Sequence, residues 1–252
     1  MKLSVSMWSV VQAVRDGRID LSGFIDFAAR QQVAGVELLD YFWKDEASEI
    51  AQVKRQVQAA GLTLAVYSIG NDFFQPDAEQ RARQLAGLKH GVDVANQLEV
   101  DRLRVFSGNA KAGYQLEDGL SWIIEGLAQG AAYAQNHGVT LALENHGLMA
   151  GRSDQVRGVI EAVNSPALRA NLDTGNFLLA VHNPTAAARD LADLVALVHL
   201  KDFRRAGPAD TTHVYTGLDG AGYTGAVVGE GQVDLPAIVG ILRAAGYSGW
   251  LS

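Results

Sequence analysis

Residues 139–147 read Val-Thr-Leu-Ala-Leu-Glu-Asn-His-Gly, an apolar, β-prone run that closes on a carboxylate, an amide and an imidazole. A buried strand does not end in three such groups unless they have work there. Side chains alternate along a strand, so Glu144 and His146 share one face and Asn145 takes the other. The pattern recurs at 168–176, Leu-Arg-Ala-Asn-Leu-Asp-Thr-Gly-Asn, and at 194–202, Leu-Val-Ala-Leu-Val-His-Leu-Lys-Asp. Each is an apolar run closed by ionisable groups: Glu144, then Asp173, then His199 with Lys201. The intervals between them hold one strand, one helix and two loops. Glu, Asp and His at the ends of neighbouring parallel strands form a ligand set for a divalent cation.

Outward from these stretches, apolar runs alternate with helical patterns. Strands are predicted at Leu3–Trp8, Val33–Leu39 (with Glu37 inside it), Leu62–Ile69, Arg102–Ser107, the 139–147 stretch, the run ending at Asp173, Leu194–Leu200 and from Trp250 onward. Helices are predicted at Leu21–Gln32, Glu46–Ala60, 77–98, Leu116–Asn136, from a Ser153 cap to about Asn164, at 184–193 and at 235–245 behind an Asp234 cap. Residues 203–233 carry seven glycines and no helical stripe. They read as a long loop, either functional or disordered. Eight strand–helix units with parallel connections specify a single-domain α/β fold, the parallel eight-stranded (β/α)8 TIM barrel spanning 1–252. An open doubly wound sheet requires a glycine-rich phosphate turn after an early strand, and none is present.

Composition narrows the function. There is no cysteine, which excludes thiol catalysis and disulfides. The formal net charge is −7 without a basic run, which argues against nucleic acid as a partner and is compatible with a small sugar. No signal peptide and no apolar membrane span is evident, so a cytoplasmic enzyme is expected. HExxH, GxSxG and Walker motifs are absent. A homo-oligomer stays open.

In a barrel of this type chemistry sits at the C-terminal strand ends. Glu144, Asp173 and His199 are the expected metal ligands. Glu144, Lys201 and His146 are the expected catalytic groups, with Glu144 the candidate base and ligand at once. Asn145, Asn176 and Asp202 are expected to meet substrate, Asn176 alternatively capping the helix that follows. Glu37 and Arg104, charges inside apolar runs, either pair with each other or line the pocket, with structural roles preferred. His90, His137 and His182 are expected in solvent, and His213 is a weaker candidate from the long loop.

The segments Ser68-Ile69-Gly70-Asn71-Asp72-Phe73, Leu143-Glu144-Asn145-His146, Asn171-Leu172-Asp173-Thr174-Gly175-Asn176, His199-Leu200-Lys201-Asp202, Gly229-Glu230-Gly231 and Gly246-Tyr247-Ser248-Gly249-Trp250 resemble the xylose-isomerase-like TIM-barrel superfamily of sugar phosphate isomerases and epimerases. The resemblance covers nearly the whole chain. It implies a divalent metal, manganese or magnesium ahead of zinc or cobalt, on Glu144, Asp173 and His199. It further implies proton transfer through an enediolate on a ketose or related sugar. A metal-dependent lyase or deglycosidase is the alternative, and an endonuclease is disfavoured by the acidic charge. Two departures stand out. Ketose epimerases of the group carry a histidine where Asn176 stands, and members supply a fourth ligand, a glutamate, beyond the Gly-Trp segment near strand eight. The sequence reads Gly249-Trp250-Leu251-Ser252, so either another group substitutes, or the chain continues further, or the protein is an inactive sugar-binding homologue.

Overall fold

Strands buried on both faces must be covered by helices, and the chain meets that demand by closing on itself. In the computed structural model, which describes residues 1–252, β1 (Lys2–Ser6) leads through a 3-10 turn into α1 (Val11–Arg15) and α2 (Leu21–Arg30). Next come β2 (Gly35–Leu39), α3 (Glu46–Ala59), β3 (Thr63–Ser68), α4 (Ala78–Gln97), β4 (Arg102–Val105) and α5 (Leu116–Asn136). The second half holds β5 (Thr140–Glu144), α6 (Ser153–Val163), β6 (Leu168–Asp173), α7 (Asn176–Leu179), α8 (Pro184–Leu191) and β7 (Val195–His199). A small antiparallel sheet follows, β8 (Asp202–Arg205), β9 (Tyr215–Thr216) and β10 (Gly222–Ala226), before α9 (Leu235–Ala244) and β11 (Trp250–Leu251). Eight parallel strands form a closed barrel in the order β1-β11-β7-β6-β5-β4-β3-β2.

The expected barrel is therefore present, with ends that differ from expectation by a few residues. Two segments differ in kind. Residues 203–233 are not a bare loop: β8, β10 and β9 pair as a three-stranded sheet. The two glycines of β10 and the two-residue length of β9 hide the alternation that marks a half-buried strand. Ser153 is the first residue of α6, not its cap. Its hydroxyl meets His182 Nε2 at 2.9 Å, and Gln155 instead closes the turn on the Arg152 N–H.

Most of the core, 51 residues, lies between barrel and helices. Ala65, Val66, Ala142, Leu197 and Trp250 form a separate cluster. Val66, Ala142 and Leu197 precede Ser68, Glu144 and His199 by two residues, so they share the inward face and form an apolar plug beneath a polar layer. Register shifts interrupt the β2–β3 ladder between Val36 and Glu37 and the β6–β7 ladder between Ala170 and Asn171. The extra residues are Ala65 of β3 and Ala196 of β7, each left unpaired across its ladder.

Candidate active site

The ligand atoms of Glu144, Asp173 and His199 all lie within 4.8 Å of one another. They come from the C-terminal ends of β5, β6 and β7, adjacent strands of the barrel. Asp173 and His199 are register partners, which puts their side chains side by side. Two carboxylates and one imidazole suit a divalent cation of hard or borderline character.

Each ligand is held from behind. Asp173 Oδ1 accepts from the backbone N–H groups of Gly175 and Asn176 at the start of α7, at 3.0 and 2.9 Å, leaving Oδ2 facing Lys201 Nζ at 3.6 Å. Glu144 Oε2 faces Arg104 Nε at 3.3 Å and His199 Nδ1 at 3.4 Å, while Oε1 accepts from Asn176 Nδ2 at 3.1 Å. Arg104 lies with its guanidinium 4.0 Å from the Phe106 ring centroid and donates from Nη1 to the Ile69 carbonyl at 2.7 Å. His199 Nε2 lies 3.1 Å from Glu37 Oε2, and Asn171 Nδ2 lies 3.1 Å from Nδ1.

These contacts decide the charges. Burial alone would raise the Glu144 pKa, but hydrogen bonding and charge from His199, then Arg104 and Lys201, hold it far below the usual carboxylate range. Burial would likewise raise Glu37, and the His199 charge reverses this, leaving it at about 2. His199, which burial would depress, is pushed up to about 10 by those two carboxylates. Asp173 moves the other way: burial raises it, with Lys201 opposing. Lys201 is raised, since the charges of Asp173 and Glu144 outweigh its own desolvation.

Several expected residues play other parts. Asn145 is fully buried, and its side chain clamps β5 to β6, accepting from the Asp173 N–H at 2.7 Å and donating to the Asp173 carbonyl at 3.0 Å. Both its groups are committed to backbone, so the expected substrate contact is corrected. Asp202 is corrected for the same reason. Its carboxylate accepts from the N–H groups of Phe203, Gly229, Gly231 and Val233 and ties the sheet excursion to the barrel. Only glycine fits at 231, because a Cβ there would overlap Asp202.

Asn176 is neither an open substrate contact nor a cap. Its amide bridges Glu144, the Asn145 carbonyl and Lys201 Nζ, the last at 3.0 Å. His146 is open to solvent at the mouth, its ring 4.9 Å from Phe106, and desolvation by the surrounding protein lowers its pKa. Arg104 pairs with Glu144, not with Glu37. His90 and His137 are exposed as expected, while His182 is half-buried against Ser153 and Phe177. His213 is exposed in the excursion before β9.

A closed parallel barrel with a Glu-Asp-His cluster at its C-terminal mouth defines the class of protein. Residues 25–252 match the family described as xylose isomerase-like TIM barrel, and the chain belongs to that family. Among curated proteins it is similar to the 3-oxo-isoapionate decarboxylase of Pectobacterium atrosepticum, 30% identical over 109 residues. That stretch is 43% of this chain and only 36% of the decarboxylase. Among solved structures, a xylose isomerase domain protein from Planctomyces limnophilus superposes with a TM-score of 0.75 at 22% identity, over 99% of this chain and 86% of that one. The 3-keto-D-glucoside 4-epimerase of E. coli superposes with a TM-score of 0.75 at 17% identity, over 100% of this chain and 90% of the epimerase. At such identities the structural likeness establishes the fold alone.

Proposed function

We propose that this chain is a divalent-metal-dependent sugar isomerase or epimerase acting beside a carbonyl carbon. The observation that carries this reading is the convergence of Glu144, Asp173 and His199 with Lys201 and Asn176 at one barrel mouth. Glu144, Asp173 and His199 would hold the cation, manganese or magnesium by their donor atoms. Bound there, such an ion supplies Lewis-acid stabilisation of charge on a substrate oxygen.

The chain's own groups divide the remaining work. Glu144 is ionised and surrounded by donors, so it is a weak base and suits holding an ion. This moves the proton-transfer role away from Glu144. His146 is neutral near pH 7, faces solvent and has a lone pair to accept the carbon-bound proton. Returning that proton to the other face gives an epimer, and returning it to the neighbouring carbon gives an isomer. Lys201 presents an ammonium to the oxygen that becomes negative, steadied by Asn176 Oδ1 and Asp173. Phe203 of β8, its ring 5.3 Å from Lys201 Nζ, brings the β8–β10–β9 sheet beside the mouth, where it would limit water. A small sugar is the partner in this reading. The compartment is read as cytoplasmic, and no helix is long and apolar enough to cross a membrane.

The similarity to 3-oxo-isoapionate decarboxylase favours a second reading, loss of carbon dioxide from a 3-oxo acid sugar. The same lysine and cation would stabilise the same oxyanion, so products separate the two: an isomer of equal mass, or a fragment and carbon dioxide. The test is solvent-deuterium uptake by a panel of ketoses and 3-oxo acids with added Mn2+. Glu144→Gln is expected to lose Mn2+ binding and turnover together. His146→Gln is expected to keep Mn2+ binding and lose deuterium uptake at least 100-fold. Wild-type uptake in that variant would remove His146 from the proton path.

A further inference from the structure

Glu37 reaches the site from β2, separated from the His199 strand β7 by β1 and β11. It is 1% exposed. A buried carboxylate so far from the metal-ligand strands is costly unless it is fully paired. All of its partners are side chains: Ser68 Oγ donates to Oε1 at 2.6 Å, Ser252 Oγ donates to Oε2 at 2.6 Å, and His199 Nε2 lies 3.1 Å from Oε2. No main-chain group is served; the three partners lie on β3, directly after β11 and on β7. Glu37 keeps the regular alternation of β2, in unbroken register with β1, and so faces inward; the extra residue of the β2–β3 irregularity is Ala65, on β3.

The opposite edge of the imidazole has different neighbours. Nδ1 faces Asn171 Nδ2, a donor, at 3.1 Å and Glu144 Oε2 at 3.4 Å. Asn171 shares its face of β6 with Asp173, two residues on. Asn171 Nδ2 also donates to Glu144 Oε2 at 3.4 Å, which keeps the NH2 half of the amide turned towards the ring and the carboxylate. The Glu37 carboxylate, an acceptor 3.1 Å from Nε2, and the Asn171 NH2 group, nearer Nδ1 at 3.1 Å than Nε2 at 3.5 Å, favour the neutral tautomer with the proton on Nε2 and the lone pair on Nδ1.

We infer that Glu37 is a positioning residue: held by Ser68 and Ser252, it takes the Nε2 proton of His199 and so aims the Nδ1 lone pair at the space shared with Glu144 and Asp173. This rests on the metal reading above and deepens it. The carboxylate is not itself a ligand, since only Glu144, Asp173 and His199 bring ligand atoms within 4.8 Å of one another. A carboxylate behind a metal-bound histidine fixes the ring and raises its basicity, and removing one typically costs 10- to 100-fold in metal affinity.

The experiment uses the full chain, stripped of metal and reloaded with Zn2+ for nuclear magnetic resonance or Mn2+ for calorimetry. Long-range 1H–15N spectra of 15N-histidine protein are expected to show His199 bound to Zn2+ through Nδ1 with a slowly exchanging Nε2–H. Glu37→Gln is expected to bind Mn2+ at least 10-fold more weakly and to speed exchange of that Nε2–H, with unchanged circular dichroism. Ser68→Ala is expected to weaken Mn2+ binding less, while Glu37→Asp is expected to recover part of the loss. Coordination through Nε2 in the wild-type protein overturns this assignment and leaves the metal reading standing. So does Mn2+ affinity within twofold of wild type in a folded Glu37→Gln. Absence of metal binding by the wild-type protein overturns both.

Discussion

Replacing Arg104 by methionine separates stability from metal affinity, because the two respond with opposite signs. Arg104 and Glu144 are both buried, with Nε and Oε2 3.3 Å apart. At an effective dielectric constant of about 20, opposite unit charges at that distance attract by about 5 kcal/mol. Part of this is offset by relief of burying the guanidinium, but the glutamate stays behind, and removing one partner of a buried pair costs about 3–5 kcal/mol. The Ile69 carbonyl also loses its donor and the Phe106 ring its cation. Methionine keeps most of the volume, so no large cavity adds to the loss. For a chain of this size each kcal/mol moves the melting midpoint by about 2–4 °C, so metal-free Arg104→Met is expected to melt about 6–20 °C lower than wild type. The same substitution removes a positive charge beside the cation site. Mn2+ should therefore bind the variant more tightly, by tenfold for about every 1.4 kcal/mol of repulsion removed. Saturating Mn2+ should then restore a larger share of the melting midpoint in the variant than in wild type. Scanning calorimetry of stripped and loaded protein measures the first effect and titration calorimetry the second. A stripped variant melting with wild type, or one that binds Mn2+ more weakly, refutes the reasoning.

Two further outcomes follow from the same structure. In metal-free protein the depressed Glu37 pKa, about 2, contributes stability that is complete above its unfolded value of about 4.3 and is lost as pH falls towards 2, while the raised His199 pKa, about 10, contributes fully below about 6.5 and is lost as pH rises through 10. Urea midpoints against pH should peak between about pH 4.5 and 6.5, and a steady rise from pH 6.5 to 9 would contradict the Glu37–His199 pairing. In α5, Gly126 lies against Phe73, and a Cβ there would sit 2.5 Å from the ring's Cε1, whereas Gly158 in α6 has nothing within 4 Å. Helix propensity favours alanine by about 1 kcal/mol at both positions, but overpacking at 126 costs about 1–3 kcal/mol, so Gly158→Ala should raise the urea midpoint and Gly126→Ala should not.

The barrel and its three candidate ligands were legible because each acid or imidazole closes an apolar run and therefore announces a strand end. Glu37 and Asn171 carried no such signal. Each sits inside a strand, where a lone polar residue reads as structural, and its partners come from strands distant in the chain: Ser68, His199 and Ser252 for Glu37, Glu144 and His199 for Asn171. Asn145 and Asp202 were misread for a simpler reason. They adjoin Glu144 and Lys201 in the chain, and adjacency in a strand or at its end means facing the opposite way. The hairpin sheet was missed because Gly222-Tyr223-Thr224-Gly225-Ala226 has too few apolar residues to show a period of two.

Asp202 gathers four amides from both ends of the excursion between β7 and α9, and the Gln232 N–H returns to the Phe203 carbonyl at 2.8 Å. The chain thus leaves the barrel and re-enters it through one knot. Distal to that knot, the turn between β9 and β10 is also held to α7, by the Leu218 N–H on the Leu179 carbonyl at 2.8 Å. Grafting hairpins of different composition onto Asp202 and Val233, with that contact kept, would change the lining of the mouth while leaving Glu144, Asp173 and His199 in place.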